Sequence, residues 1–272
     1  MEGGAIAVIG AGTLGWQIAR TFAARGVAVR LFDAKDGVVE AAMARIGREA
    51  PEASERLVGV GSPAEAVDGV WLVIEAIPER LEAKRALFTE LSAMTGPEVV
   101  LATNSSSMRS RLLAEASRFP ERLLNTHFYN EPWRRGAVEL MTCGETDPAV
   151  LARVERFMAA CGLAPFVARG ESTGFIFNRI WRAIKRESLR VVAEGHATPE
   201  AVDRLWCIVM ESELGPFARM DRVGLDVVLD IERRYAAESG DPADEPPGLL
   251  VEMVERGMLG VKSGRGFYEY EG

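Results

Sequence analysis

Hydrophobic and polar positions along this chain change rhythm partway through. The first apolar run, Ile6 to Ile9, is short and β-branched, and a glycine-punctuated stretch from Gly10 to Gly15 separates it from a helical pattern. That pattern stops at Gly26, a residue type that ends helices, and a second apolar run extends from Val27 to Phe32. Strand-like runs recur at Leu57–Val60, Val70–Glu75, Val99–Asn104, Leu123–Phe128, Val138–Thr142 and Ala164–Val167. Helical patterns at Leu81–Met94, Met108–Ala116 and Pro148–Cys161 separate several of them. Such alternation predicts a mostly parallel sheet with helices on both faces. Around Arg169-Gly-Glu-Ser-Thr-Gly174 the alternation ends, and from Phe175 onward the pattern is helical throughout: Asn178–Glu194, a start signal at Thr198-Pro-Glu200, Val223–Glu238 and Leu249–Arg256. A domain boundary is therefore expected near residue 172, dividing the chain into residues 1–172 and 173–272.

The turn after the first run carries the most chemistry. Gly10-Ala11-Gly12-Thr13-Leu14-Gly15 is a G-x-G-x-x-G pattern between a strand and a helix. Such a turn presents backbone N–H groups and the positive end of a helix dipole to a pyrophosphate. The second strand ends in Asp33, at the distance where an acid accepts hydrogen bonds from both hydroxyls of an adenosine ribose. The same carboxylate would repel a 2′-phosphate, so the reading is NAD rather than NADP. The expected fold class is α/β: a Rossmann-type, doubly wound, mostly parallel sheet followed by a smaller all-α C-terminal domain.

Composition narrows the remaining possibilities. The 272 residues are 48% hydrophobic and 26% charged, as in a soluble globular protein of two modest domains. A net charge of −8 and the absence of any long basic run argue against a nucleic-acid partner. No apolar stretch approaches the roughly 20 residues needed to span a bilayer, so no membrane partner is expected. The first strand begins almost at the N-terminus, which argues against a targeting peptide. Cys143, Cys161 and Cys207 are widely spaced, and with two histidines they form no metal-site pattern. A cytoplasmic protein without a metal is the expectation.

A dinucleotide domain followed by a helical one implies hydride transfer, which needs an acid/base group. Of the two histidines, His196 follows the helix-ending Gly195 in an expected surface turn, whereas His127 ends an apolar strand within Asn125-Thr-His-Phe-Tyr-Asn130. Strand ends of a doubly wound sheet are where ligands bind. Twelve positions later Glu139 interrupts the apolar run Ala137–Met141, and a carboxylate there needs a partner to be buried. An imidazole oriented by a carboxylate is a suitable general base.

In this order the motifs resemble the L-3-hydroxyacyl-CoA dehydrogenase family over nearly the whole chain. They are the glycine turn, Glu75-Ala-Ile-Pro-Glu79 with Lys84, Asn104-Ser-Ser-Ser107, His127-Phe-Tyr-Asn130, Val138-Glu139, Gly174-Phe-Ile-Phe-Asn-Arg179, Gly215-Pro216, Gly224-Leu-Asp226 and Lys262-Ser-Gly-Arg-Gly-Phe-Tyr268. The resemblance implies that His127 is the base that takes the hydroxyl proton and that Glu139 orients it. It implies that Ser106 and Asn178 contact the substrate oxygen or line its pocket, and that Glu79, Lys84, Ser106, Asn130 and Lys262 contact the dinucleotide. It also implies a homodimer built through the helical domain.

Three departures from the family pattern concern the substrate. The segment Ala34–Arg56, where the family has a long helical hairpin on the CoA side, is shortened and contains Pro51. Asn130-Glu-Pro-Trp-Arg-Arg135 replaces an Asn-Pro-x-Pro pattern and places Arg134 and Arg135 where they could fork onto a carboxylate or phosphate, or simply be solvated. The helix from Asn178 is richer in cations and aromatics than its family counterpart. The expected substrate is a 3-hydroxyacyl thioester. A free hydroxy acid of sugar-acid or carnitine type, a carrier-protein-bound acyl group, and a catalytically silent NAD-sensing protein are the alternatives.

Overall fold

The computed structural model describes residues 4–271 and divides into two compact units, one ending at Ile176 and the other beginning at Phe177. Among the described residues of the first unit, eight strands form one sheet: β1 (Ala5–Ile9), β2 (Val29–Phe32), β3 (Leu57–Gly59), β4 (Val70–Glu75), β5 (Val100–Thr103), β6 (Leu123–Phe128), β7 (Ala137–Thr142) and β8 (Ala164–Ala168). Their spatial order is β3-β2-β1-β4-β5-β6-β7-β8. Every neighbouring pair is parallel except β6 and β7. The chain order reverses direction at β1 and β4, which opens a crevice at their carboxyl ends.

The helices of this unit are α1 (Gly15–Ala23), α2 (Val38–Glu49), α3 (Pro63–Val67), α4 (Leu81–Met94), α5 (Arg111–Ala114), α6 (Pro132–Arg135) and α7 (Pro148–Ala160). Both faces of the sheet are covered, so its central strands are apolar continuously rather than alternately. Alternation instead sorts residues between two cores. Ile6 and Val8 of β1 pack with Ile18, Phe22 and Phe157, while Ala7 and Ile9 pack with Phe88, Leu91 and Leu101.

One local outcome departs from the periodicity and a second follows from Pro51. The helical pattern over Met108–Ala116 yields only the single turn α5, because the Asn125 amide competes for the backbone: its Oδ1 accepts from Ser110 N–H at 2.7 Å and its Nδ2 donates to the Met108 carbonyl at 2.9 Å. Within Ala34–Arg56, α2 stops before Pro51 and the chain tightens into a 3₁₀ stretch from Pro51 to Arg56, so one helix stands where a hairpin was the family pattern.

The second unit is helical: α8 (Phe177–Ala193), α9 (Pro199–Val209), α10 (Pro216–Val223), α11 (Leu225–Ser239) and α12 (Gly248–Glu255). Its core gathers Leu189, Phe217, Met220, Leu225, Val228, Leu229, Leu250 and Met253. Sequence periodicity merged α10 into its surroundings. Asp203 starts it instead, accepting from Phe217 and Ala218 N–H at 2.8 Å each, and Gly224 ends it with a φ of 99°. Asp221, fully buried, accepts from Phe267 and Tyr268 N–H and from the Tyr270 hydroxyl, which docks the C-terminal strap onto this core. No helix among the described residues is long and apolar enough to cross a membrane. No group of three or more His, Cys, Asp or Glu among them could hold a metal ion.

Candidate active site

The crevice at the carboxyl ends of β1 and β4 is a cavity of about 910 Å³ within the first unit. Gly10, Gly12, Thr13, Leu14, Asp33, Glu79, Lys84, Ser106 and His127 all line it, so residues more than 110 positions apart in sequence share one wall. Ala11 joins them through its N–H, which donates to Asp33 Oδ2 at 2.8 Å, while Lys35 N–H donates to Oδ1 at 2.9 Å. These bonds hold the Asp33 carboxylate upright at the end of β2, and each oxygen retains a further lone pair for a hydroxyl.

The glycines of the turn divide by cause. A Cβ on Gly15 would lie 1.7 Å from the Gly10 carbonyl oxygen, so the protein's own packing excludes any other residue there. A Cβ on Gly12 would meet nothing within 4 Å. Nothing inside the protein requires a glycine at position 12, whereas a pyrophosphate lying on the turn would need that bare backbone. The residues present therefore fit a dinucleotide.

His127 and Glu139 stand directly opposite each other on the antiparallel strands β6 and β7. His127 Nδ1 lies 2.9 Å from Glu139 Oε2, with both side chains buried. Glu139 is fixed by more than the imidazole: the Tyr129 hydroxyl donates to Oε2 at 2.7 Å and Ile176 N–H donates to Oε1 at 2.9 Å. Burial and the adjacent Glu139 carboxylate push the Tyr129 hydroxyl far above its ordinary value, so it stays a donor. The imidazole is also gripped by rings, stacked on Phe175 at 4.9 Å and tilted against Tyr129 at 4.7 Å. A carboxylate only accepts, so Nδ1 carries the proton and Nε2 is left as the basic nitrogen.

A second network underlies the crevice floor. Lys84 is buried and pairs with Glu75 at 2.5 Å and with Glu79 Oε2 at 3.4 Å. Glu75 also accepts from the Thr103 hydroxyl at 2.6 Å and Ile77 N–H at 2.7 Å. Burial raises the Glu75 carboxyl in spite of these partners. Burial works in the same direction on Glu79, but Lys84, the Ser105 hydroxyl and Ser106 N–H outweigh it and hold that carboxyl below its ordinary value. Glu79 thereby clamps the loop carrying Ser106, accepting from Ser105 Oγ at 2.7 Å and Ser106 N–H at 3.0 Å.

Asn130, Arg134, Arg135, Asn178 and Lys262 are not among the residues lining this crevice. Asn130 is exposed, and its carbonyl accepts from Arg135 Nε at 2.9 Å. Arg134, with a side chain 77% exposed, pairs with Glu131 at 3.5 Å. Neither arginine lines the crevice of this unit. Asn178 is in the first turn of α8 and Lys262 pairs with Asp226, both in the second unit. The motifs contained Glu75, Tyr129 and Phe175, but neither periodicity nor motif reading gave them a role. Glu75 was detectable by the rule that found Glu139, since it also interrupts an apolar run. Tyr129 and Phe175 carried no such mark, because an aromatic beside a strand or a glycine reads as core.

Residues 5–171 match a family described as 3-hydroxyacyl-CoA dehydrogenase, NAD binding domain, and residues 174–270 match 3-hydroxyacyl-CoA dehydrogenase, C-terminal domain. A 3-hydroxybutyryl-CoA dehydrogenase of Mycobacterium tuberculosis is 34% identical over 97% of this chain and 98% of its own. The crystal structure of (S)-3-hydroxybutyryl-CoA dehydrogenase from Ralstonia eutropha superposes with a TM-score of 0.95 at 29% identity, covering 100% of both chains. A 5-formyl-3-hydroxy-2-methylpyridine 4-carboxylate 5-dehydrogenase of Mesorhizobium japonicum is 27% identical over 97% of this chain and 90% of its own.

Proposed function

This chain belongs to the 3-hydroxyacyl-CoA dehydrogenase family of NAD-dependent oxidoreductases, and we propose that it interconverts a 3-hydroxyacyl thioester and its 3-oxoacyl form with His127 as general base. The observation that carries this reading is the 2.9 Å contact between His127 Nδ1 and Glu139 in the wall of the dinucleotide crevice. NAD, when bound, supplies the acceptor for the hydride that leaves the hydroxyl-bearing carbon. His127 Nε2 takes the hydroxyl proton as the carbonyl forms. Glu139 then faces an imidazolium, and a fixed anion against that new charge lowers the cost of forming it. In the reverse direction the same nitrogen returns the proton to the oxygen.

In this reading Ser106 and Asn178 contact the substrate oxygen or line its pocket. Glu79, Ser106, Asn130 and Lys262 serve the dinucleotide. Lys84 serves it too, since it lines the crevice while its ammonium also pairs with Glu75 and Glu79. The chain acts as a homodimer through its helical unit, where Leu205, Ile208, Val209 and Met210 at the end of α9 are each more than half exposed.

Two observations favour a second reading with unchanged chemistry on a free hydroxy acid. A relative covering nearly the whole chain is named for a carboxylated pyridine substrate, and the CoA-side segment holds the single helix α2 in place of a hairpin. NADH formation with NAD and a panel of 3-hydroxyacyl-CoAs, carrier-protein-linked hydroxyacyl groups and free hydroxy acids separates these readings. Turnover of the CoA thioesters is expected. Turnover confined to free acids would reject the thioester while leaving the His127 mechanism standing.

A further inference from the structure

The helical unit holds a second cavity, about 370 Å³, that the dehydrogenase chemistry leaves without a role. Arg179, Arg182, Arg186, Glu187 and Arg190 of α8 line it together with Tyr235 of α11. Their spacing of three, four and four residues sets the four guanidiniums in one stripe along the helix. A chain with a net charge of −8 has thus concentrated cations in one concave place.

The inner wall holds these groups in position. Glu232, 1% exposed, accepts from Arg182 Nε at 2.9 Å, Arg186 Nη1 at 3.2 Å and Lys185 Nζ at 3.4 Å. Arg182 also pairs with Asp244 at 2.8 Å and lies 4.2 Å above the Tyr235 ring. Arg186 donates to the carbonyls of Ala243, Asp244 and Glu245. Two long, flexible side chains are consequently ordered before any ligand arrives, which removes part of the entropy cost of binding.

Cations crowd this wall. Four arginines and Lys185 gather around the carboxylates of Glu187, Glu232 and Asp244, with Glu238 at the Tyr235 edge. Burial and the neighbouring Arg182 and Arg186 draw the Lys185 ammonium below its ordinary value even though Glu232 touches it. All four lining cations are arginines, whose planar forks match the oxygens of carboxylates and phosphates. The volume suits a small metabolite rather than a macromolecule.

We propose that the α8–α11 cleft is a binding site for a small carboxylate- or phosphate-bearing metabolite, held by Arg179, Arg182, Arg186 and Arg190. It shares no lining residue with the dinucleotide crevice and does not depend on which substrate the dehydrogenase turns over. The test uses the full chain with NAD saturating, so that the glycine turn is already occupied and cannot take the probe. Inorganic phosphate and glutarate are titrated by calorimetry and thermal melting, with sodium chloride at matched ionic strength as the reference. Saturable binding of at least one probe is expected, with a rise in melting midpoint that chloride does not reproduce. Phosphate alone would mark the ligand as a phosphate ester, glutarate alone as a carboxylate. Arg179→Gln/Arg190→Gln should weaken that binding at least tenfold and leave NAD affinity unchanged. Arg190→Glu alone is a second variant, at a position outside the Glu232 network. The proposal is overturned if neither probe binds saturably beyond the chloride reference, or if both variants bind the probes like wild type.

Discussion

The Lys84 ammonium lies 2.5 Å from a Glu75 carboxylate oxygen, and the two side chains are 1% and 0% exposed. The pair sits beneath the crevice, and its outer arm is Glu79, which fastens the Ser105–Ser107 loop. A buried ion pair adds little net stability, but removing one partner strands the other. Lys84→Met should therefore destabilise the fold by about 3–5 kcal/mol. Glu75→Gln/Lys84→Met should cost less than the sum of the single changes, because the second substitution removes the stranded charge. Urea denaturation of the four proteins measures this coupling, and strict additivity would contradict it.

Glu79 gives the acid side of the stability profile its sign. Its carboxyl is held below the ordinary value, against the effect of burial, by Lys84 and its hydrogen bonds. Its contribution to folding is thus complete above the ordinary glutamate value of roughly 4.3 and is lost as pH falls through its own lower value. The difference in melting midpoint between wild type and Glu79→Gln should be largest near neutrality and shrink below that range. A difference that grows on acidification would reverse the assignment.

Asp33 is expected to set cofactor choice. With its carboxylate held by Ala11 and Lys35 N–H, a 2′-phosphate would meet a fixed like charge. The preference for NAD over NADP in kcat/KM should exceed ~2 kcal/mol. Asp33→Ser should lose most of that preference, chiefly by weakening NAD. Equal kcat/KM for the two cofactors in the wild-type protein would remove this role.

For catalysis, His127→Gln should lower kcat by at least ~100-fold while NAD still binds. Glu139→Gln should also lower kcat, since the imidazolium loses its charged neighbour. The double variant should fall short of the product of the two effects, because the residues act as one unit. Near wild-type turnover by His127→Gln would exclude the assignment.

Arg134 and Arg135 provide a contrast. Arg134 is largely solvated and pairs with Glu131, and Arg135 is bound to the Asn130 carbonyl. Contacts this exposed are worth about 0–1 kcal/mol, so they do not tie the guanidiniums down. Substituting both by Ala should raise KM for a substrate with a second anionic group, by about 1–3 kcal/mol, and leave a neutral one little changed. An unchanged KM for both would show that these arginines are solvated loop charges.

Much of this architecture is local information, which is why it was legible in the residues. The Gly10–Gly15 turn, the strand ending in Asp33, the apolar strands and the shift to helices near residue 172 each depend on a few neighbouring positions and on periodicity. His127 and Glu139 stood out one at a time, as polar residues at points where an apolar strand should continue. What joined them is the antiparallel pairing of β6 and β7, a register that no local pattern specifies. Packing likewise decided that Lys84 turns inward to Glu75, that Tyr129 and Phe175 grip the His127 ring, and that Asn125 unwinds the helix expected at Met108. It also decided the place of the arginines. The exposed pair at 134 and 135 was the conspicuous one in sequence, yet the cleft is built by the stripe on α8, because a buried carboxylate 50 residues beyond Arg182 holds it there. The chain encodes types and periods, whereas the meeting of distant side chains is settled only when the core closes.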